Sequence, residues 1–167
     1  MNAGEGLARI LPANARILVI GVGNEYRSDD AVGLVVARRL RQLSLGNVTV
    51  IEESGEGTDL MESWKGADTV IIVDAASSGA KPGTIHRIDA RAQRIPTRLL
   101  RYSTHAFSVG EAVELARAMN RLPPRMVVYG IEGERFDEGT GLSRAVQASV
   151  DTVVDLVLRQ LRSAAPC

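Results

Sequence analysis

Residues 16–33, Arg-Ile-Leu-Val-Ile-Gly-Val-Gly-Asn-Glu-Tyr-Arg-Ser-Asp-Asp-Ala-Val-Gly, constrain the fold more than any other stretch of the chain. Ile17 to Ile20 form an unbroken apolar, mostly β-branched run, the pattern of a strand buried on both faces of a parallel sheet. Gly21 and Gly23 mark where that strand turns without a Cβ in the way. Ser28 and Asp29 are suited to cap a helix, and residues 31–43 carry helical apolar spacing. Asp29 and Asp30 therefore fall where a strand hands over to a helix, on the carboxyl side of the sheet, where open α/β proteins place their sites.

The dinucleotide fingerprint is not completed. Tyr26 stands where its third glycine belongs, so neither close helix–strand packing nor a pyrophosphate cradle is encoded. Two carboxylates at the helix start also oppose a phosphate. The simplest alternative has both aspartates capping the helix, which gives one of them a duty and leaves the other without one.

A second strand is expected at 48–51, the runs at 69–73 and 126–131 predict buried strands, and the short, more polar 84–88 predicts an edge or antiparallel one. Helices are expected from Thr58 or Asp59 through Trp64, over 106–120 until Pro123-Pro124, and over 143–162. Strands alternating with helices give an α/β/α three-layer sandwich on a mostly parallel twisted sheet of about five strands, one of them antiparallel at an edge. The 167 residues suit one domain, expected over 16–163 after a flexible N-terminal segment at 1–15.

Lys plus Arg and Asp plus Glu both number 20, so no net charge draws the chain to nucleic acid or an anionic membrane. No apolar run is long enough to span a bilayer, and residues 1–15 lack the pattern of a signal peptide. A cytoplasmic protein, acting as a monomer, is the expectation. The single cysteine, Cys167, permits neither a disulfide framework nor a cysteine zinc site, and disfavours a thiol nucleophile. There is no Gly-x-Ser-x-Gly elbow and no Gly-Lys-Ser/Thr phosphate loop.

In a sandwich of this kind, Asp29-Asp30, Asp74 and His105 converge from separate strand ends on one edge. Two carboxylates and an imidazole can bind a divalent transition metal with positions left for substrate or water. Each residue also has a plainer reading. Asp74 could cap the loop after its strand, and His105 could be a core or helix-start histidine. His86 is expected to face solvent, and Glu53 and Glu56 to be solvated loop acids in preference to carboxylates at the edge of the site. Arg87, Arg91, Arg94, Arg98 and Arg101 form either a docking surface or a solvated face.

The ordered set Gly21-Val22-Gly23-Asn24, Asp29-Asp30-x-x-Gly33, Ile-Ile-Val-Asp74-Ala75, Pro82-Gly83-Thr84, Ser103-Thr104-His105 and Tyr129-Gly130-Ile131-Glu132-Gly133 resembles the [NiFe]-hydrogenase maturation endopeptidases. The likeness runs from about Arg16 to the final helix. It implies the same α/β sandwich and a single cut that removes the C-terminal extension of a nickel-loaded hydrogenase large-subunit precursor, at a basic residue beyond its last cysteine pair. By position the family's nickel-contacting residues fall on Asp30, Asp74 and His105, which are also the expected catalytic set. Well-known members carry Glu at the first of these, one methylene longer than Asp30. Glu53 falls near another acidic position of the family, but its Ser-Gly-Glu-Gly-Thr loop departs from the Asp-Gly-Gly-Thr form, so it stays outside the core site. The nickel is expected to arrive with the substrate, other divalent metals being able to substitute. Whether it orients the scissile bond or polarises it is left open, as is a role for Asp29 as general base. The alternatives are a free-standing metallohydrolase of small substrates and a non-catalytic nickel- or partner-binding module.

Overall fold

The computed structural model describes Gly6 and residues 11–96, 99–100 and 107–164. Five strands form one sheet, β1 (Ile17–Val22), β2 (Val48–Glu53), β3 (Thr69–Ala76), β4 (Ile85–Asp89) and β5 (Arg125–Glu132), in the order β2-β1-β3-β5-β4. The first four in that order are parallel. β4 runs antiparallel to β5 at the edge, in register His86 to Gly130 and Ile88 to Val128. The mostly parallel three-layer sandwich with one antiparallel edge strand is thus the observed architecture.

Alternate residues of the strands feed two cores, because successive side chains leave opposite faces of a strand. Ile17, Val19, Ile71, Val73, Val127 and Tyr129 pack under α1 (Val32–Arg41) and α4 (Arg144–Ser163), joined by Leu11 from the N-terminal segment. Leu18, Ile20, Val70, Ile72, Met126 and Val128 pack under α2 (Gly57–Ser63) and α3 (Val109–Ala118). Val32, Val36 and Leu40 of α1, and Val146, Val150, Val153, Val157 and Leu161 of α4, are the turn-spaced positions that close the first core. Ser108 caps α3 in a capping box with Glu111. The helix expected from residue 106 therefore begins at Val109, and residue 106 itself lies outside the described residues.

Two expectations around β1 are corrected. Ser28 and Asp29 do not cap α1: a four-residue 3₁₀ turn, Ser28–Ala31, comes first, and α1 starts from Ala31 with no side-chain cap. Close helix–strand packing is encoded after all, but by Gly33 rather than at position 26. A Cβ on Gly33 would meet the carbonyl oxygens of Val22 and Val73 at 2.3 Å each, so only glycine lets α1 sit this close to β1 and β3. β3 also runs on to Ala76, which puts Asp74 inside the strand instead of in the loop after it.

Candidate functional site at the carboxyl edge of the sheet

Asp29 and Asp30 are neighbours in sequence with opposite fates. Asp29 is completely buried. Its Oδ1 accepts the Ser143 N–H at 2.7 Å, while Oδ2 accepts the N–H groups of Glu134 (2.8 Å) and Arg135 (2.9 Å) and the Ser143 hydroxyl (2.9 Å). Burial alone would push its pKa up, but the hydrogen bonds from Ser143, Arg135 and Glu134 outweigh it and hold the carboxyl below its ordinary value. Asp29 is an ionised clasp that fastens the 133–143 loop to the turn after β1. With its acceptors committed in this way it is not placed to activate water, which corrects the general-base role left open for it.

The turn it fastens is strained. Ser28 has φ of 51°, a left-handed conformation that costs a non-glycine residue about 1 kcal/mol or more. It is held there by its N–H donating to Gly139 O (3.0 Å) and its hydroxyl donating to Asp137 O (3.0 Å). The result is to turn Asp30 toward the β1 end, where its Oδ2 accepts the Asn24 N–H at 3.0 Å. A Cβ on Gly23 would lie 1.9 Å from the Asp30 carbonyl oxygen, so the glycine is the clearance that lets this turn close.

Asp74 lies opposite Gly130 in the β3–β5 ladder and shares the Ile72 and Ala76 side of β3. It is buried, at 8% exposure, and its Oδ1 accepts the Ala75 N–H at 2.8 Å. Burial in the first place, and the Asp30 charge in the second, push the Asp74 carboxyl well above the usual carboxylate range, against the Ala75 hydrogen bond. The structure thus brings Asp30 and Asp74 into electrostatic contact at one edge. Two carboxylates that repel in a desolvated setting form a donor set that a divalent cation would relieve.

His105, the third expected member, lies outside the described residues. The described chain resumes at Phe107, whose carbonyl accepts the Gly57 N–H at 3.1 Å and whose ring occupies the space a Cβ at 57 would take. Among the described residues no group of three His, Cys, Asp or Glu side chains could by itself hold a metal ion.

The remaining acids and bases sort differently from expectation. Glu53 ends β2 half-buried and accepts the Ser63 hydroxyl at 2.6 Å, tying β2 to the end of α2 instead of standing in a loop. Glu56 takes the N-cap position of α2 without a side-chain cap. His86 does not face solvent freely: its Nε2 lies 3.2 Å from Glu132 Oε2, with the side chain 25% exposed. Glu132, one residue past the run expected for the last strand, ends β5 at 2% exposure. It accepts from Ser78 N–H (2.7 Å), Ser78 hydroxyl (2.9 Å) and Gly79 N–H (2.9 Å), and so holds the loop that leaves the Asp74 strand. Burial raises its pKa, yet the Ser78, His86 and Gly79 hydrogen bonds bring it below its ordinary value. Its sequence signals were its place beside the Gly130-Ile131 strand end and its membership of the Tyr129-Gly130-Ile131-Glu132-Gly133 motif. Arg87 donates to Gln160 Oε1, and Arg91 and Arg94 are exposed, while Arg98 and Arg101 lie outside the described residues.

Fold and geometry together define a class: an α/β sandwich with two interacting carboxylates at the carboxyl edge of the sheet, one from the turn after β1 and one from the adjacent strand β3. A family model for hydrogenase maturation proteases matches residues 34–160. The hydrogenase 2 maturation protease of Escherichia coli is 27% identical over 151 residues, which cover 88% of this chain and 91% of that protein. The solved structure of a hydrogenase maturating endopeptidase from Escherichia coli superposes with a TM-score of 0.72 at 26% identity, covering 89% of this chain and 93% of the other. A hydrogenase 2 maturation peptidase from a Thaumarchaeota archaeon does so with a TM-score of 0.62 at 28% identity, covering 87% and 97%. The chain belongs to the hydrogenase maturation protease family and is an endopeptidase. Among the described residues no helix is long and apolar enough to cross a membrane.

Proposed function

We propose that this endopeptidase removes the C-terminal extension of a [NiFe]-hydrogenase large-subunit precursor, and that it recognises the nickel already carried by that substrate through Asp30, Asp74 and His105. What supports this reading is the meeting of Asp30, in the turn after β1, with buried Asp74 of β3, whose carboxyl is raised by burial and by the Asp30 charge, a repulsion that a divalent cation would relieve. A metal that arrives with the substrate relieves the repulsion only when the correct, loaded precursor is docked, which couples recognition to maturation. Ligation would fix the scissile segment against the sheet edge and convert a loose encounter into an oriented one. The same reading places the reaction in the cytoplasm, with a monomeric enzyme.

The test is processing of the cognate precursor, with and without nickel, by wild type, Asp30→Asn and His105→Ala. Cleavage confined to wild type with nickel-loaded precursor is the expected result. Equal cleavage of nickel-free precursor would remove the recognition role, and a free enzyme that purifies with a stoichiometric, activity-sustaining metal would favour a self-contained metallohydrolase.

A further inference from the structure

Tyr26 is 67% exposed, the most exposed of the large hydrophobic side chains among the described residues. The others, Leu115 and Met119, lie with Pro123 and Pro124 in a groove at the opposite, amino-end edge of the sheet. Tyr26 instead stands beside the site, in a turn built to hold it outward. The Asn24 side-chain oxygen accepts the Tyr26 N–H at 2.9 Å, and the Asn24 carbonyl accepts the Arg27 N–H at 3.2 Å. Across from it, residue 139 pairs with the same turn. Gly139 N–H donates to Tyr26 O at 3.0 Å, and Arg27 and Gly139 form an isolated parallel bridge.

Between these two segments lies a cleft of about 420 Å³ lined by Asn24, Tyr26, Arg27, Glu138, Gly139 and Thr140. One of its walls is continuous with the site, because the Asn24 N–H that borders it donates to the Asp30 carboxylate. Both walls are fixed from beneath by the Asp29 clasp and by strained Ser28. The Asp29 clasp and the left-handed serine hold the two surface loops together, and the cleft lies between them beside the proposed site. An aromatic ring locked in a turn offers contact area at little conformational cost, as interface tyrosines do.

We propose that this cleft seats the precursor polypeptide next to the scissile bond, with the Tyr26 ring as the specificity-determining contact. The proposal rests on the proteolytic reading above. The occupant is an extended chain segment of the substrate, since the cleft is open at the surface, is flanked by the exposed Tyr26, and shares its Asn24 wall with the Asp30 carboxylate.

The test uses the full-length, nickel-loaded precursor with wild type, Tyr26→Phe, Tyr26→Ala and Thr140→Trp, the last filling the cleft. Steady-state processing, equilibrium binding of the precursor and thermal melting are read in parallel. Tyr26→Ala and Thr140→Trp should raise KM and weaken precursor binding about 10-fold, with kcat nearly unchanged and melting unmoved, and Tyr26→Phe should keep most of the affinity. If wild type processes the precursor and Tyr26→Ala binds it equally well, the cleft proposal is overturned while the proteolytic reading stands. A wild type that neither binds nor cleaves fails the proteolytic reading and takes the proposal with it. A change confined to self-association in sedimentation would make the patch a contact between copies of the chain, which also overturns it.

Discussion

Replacing Asp29 tests the division of labour between the adjacent aspartates. In Asp29→Ala, four donors lose their acceptor. Glu134 and Arg135 lie on the exposed loop, so water can reach their N–H groups. Ser143 is buried, and its N–H and hydroxyl are left unsatisfied at about 1–3 kcal/mol each. The net loss should be about 3–5 kcal/mol, in line with the removal of one partner from a buried ionic cluster. For a chain of this size that lowers the melting temperature by roughly 10 °C. Asp29→Asn is instructive in a finer way. Its amide oxygen can replace Oδ2 for three donors, but the NH₂ then faces the Ser143 N–H, a single mismatch of about 2 kcal/mol.

Urea unfolding at neutral pH, with the slope checked for constancy, measures both losses. The sign of the pH dependence is fixed by the lowered pKa. The carboxylate contributes stability above its unfolded value of about 3.9, and that contribution is lost as pH falls through the depressed folded value. The gap between wild type and Asp29→Asn should therefore narrow below about pH 4. If both variants lie within about 0.5 kcal/mol of wild type, the clasp contributes nothing and the reasoning fails.

Asp74→Asn keeps an acceptor for the Ala75 N–H while removing the buried charge beside Asp30, so it should be more stable than wild type by about 1–2 kcal/mol at alkaline pH and yet fail to process precursor. Because the folded pKa of Asp74 is raised, the wild type loses stability as pH rises toward it, and the advantage of the variant should vanish below about pH 4; thermal melts across that range check the sign. Gly33→Ala drives a methyl into two strand carbonyls and should cost about 3 kcal/mol or more, seen as a low melting point or insoluble expression. Glu132→Ala should strip hydrogen-exchange protection from the Ser78 and Gly79 amides at a cost of about 3 kcal/mol, and His86→Ala, removing one partly exposed partner, clearly less.

The strands, their mostly parallel pairing and the edge placement of β4 are legible in local pattern, because a strand covered on both faces must be apolar at every position and an edge strand need not be. The same pattern also places Asp30 and Asp74 at one edge, since strand ends of a parallel sheet share a side. Local pattern could not separate Asp29 from Asp30. Their roles are set by a loop 105 to 114 residues further along the chain, which donates to one carboxylate and leaves the other turned toward the β1 end. For the same reason the pairing of His86 with Glu132, 46 residues apart, is invisible in local pattern, because it exists only once the antiparallel β4–β5 ladder sets His86 opposite Gly130. Apolar periodicity records which faces are buried. Which carboxylate is enclosed by loop donors and which is turned toward a second carboxylate depends on contacts that only the closed tertiary structure delivers.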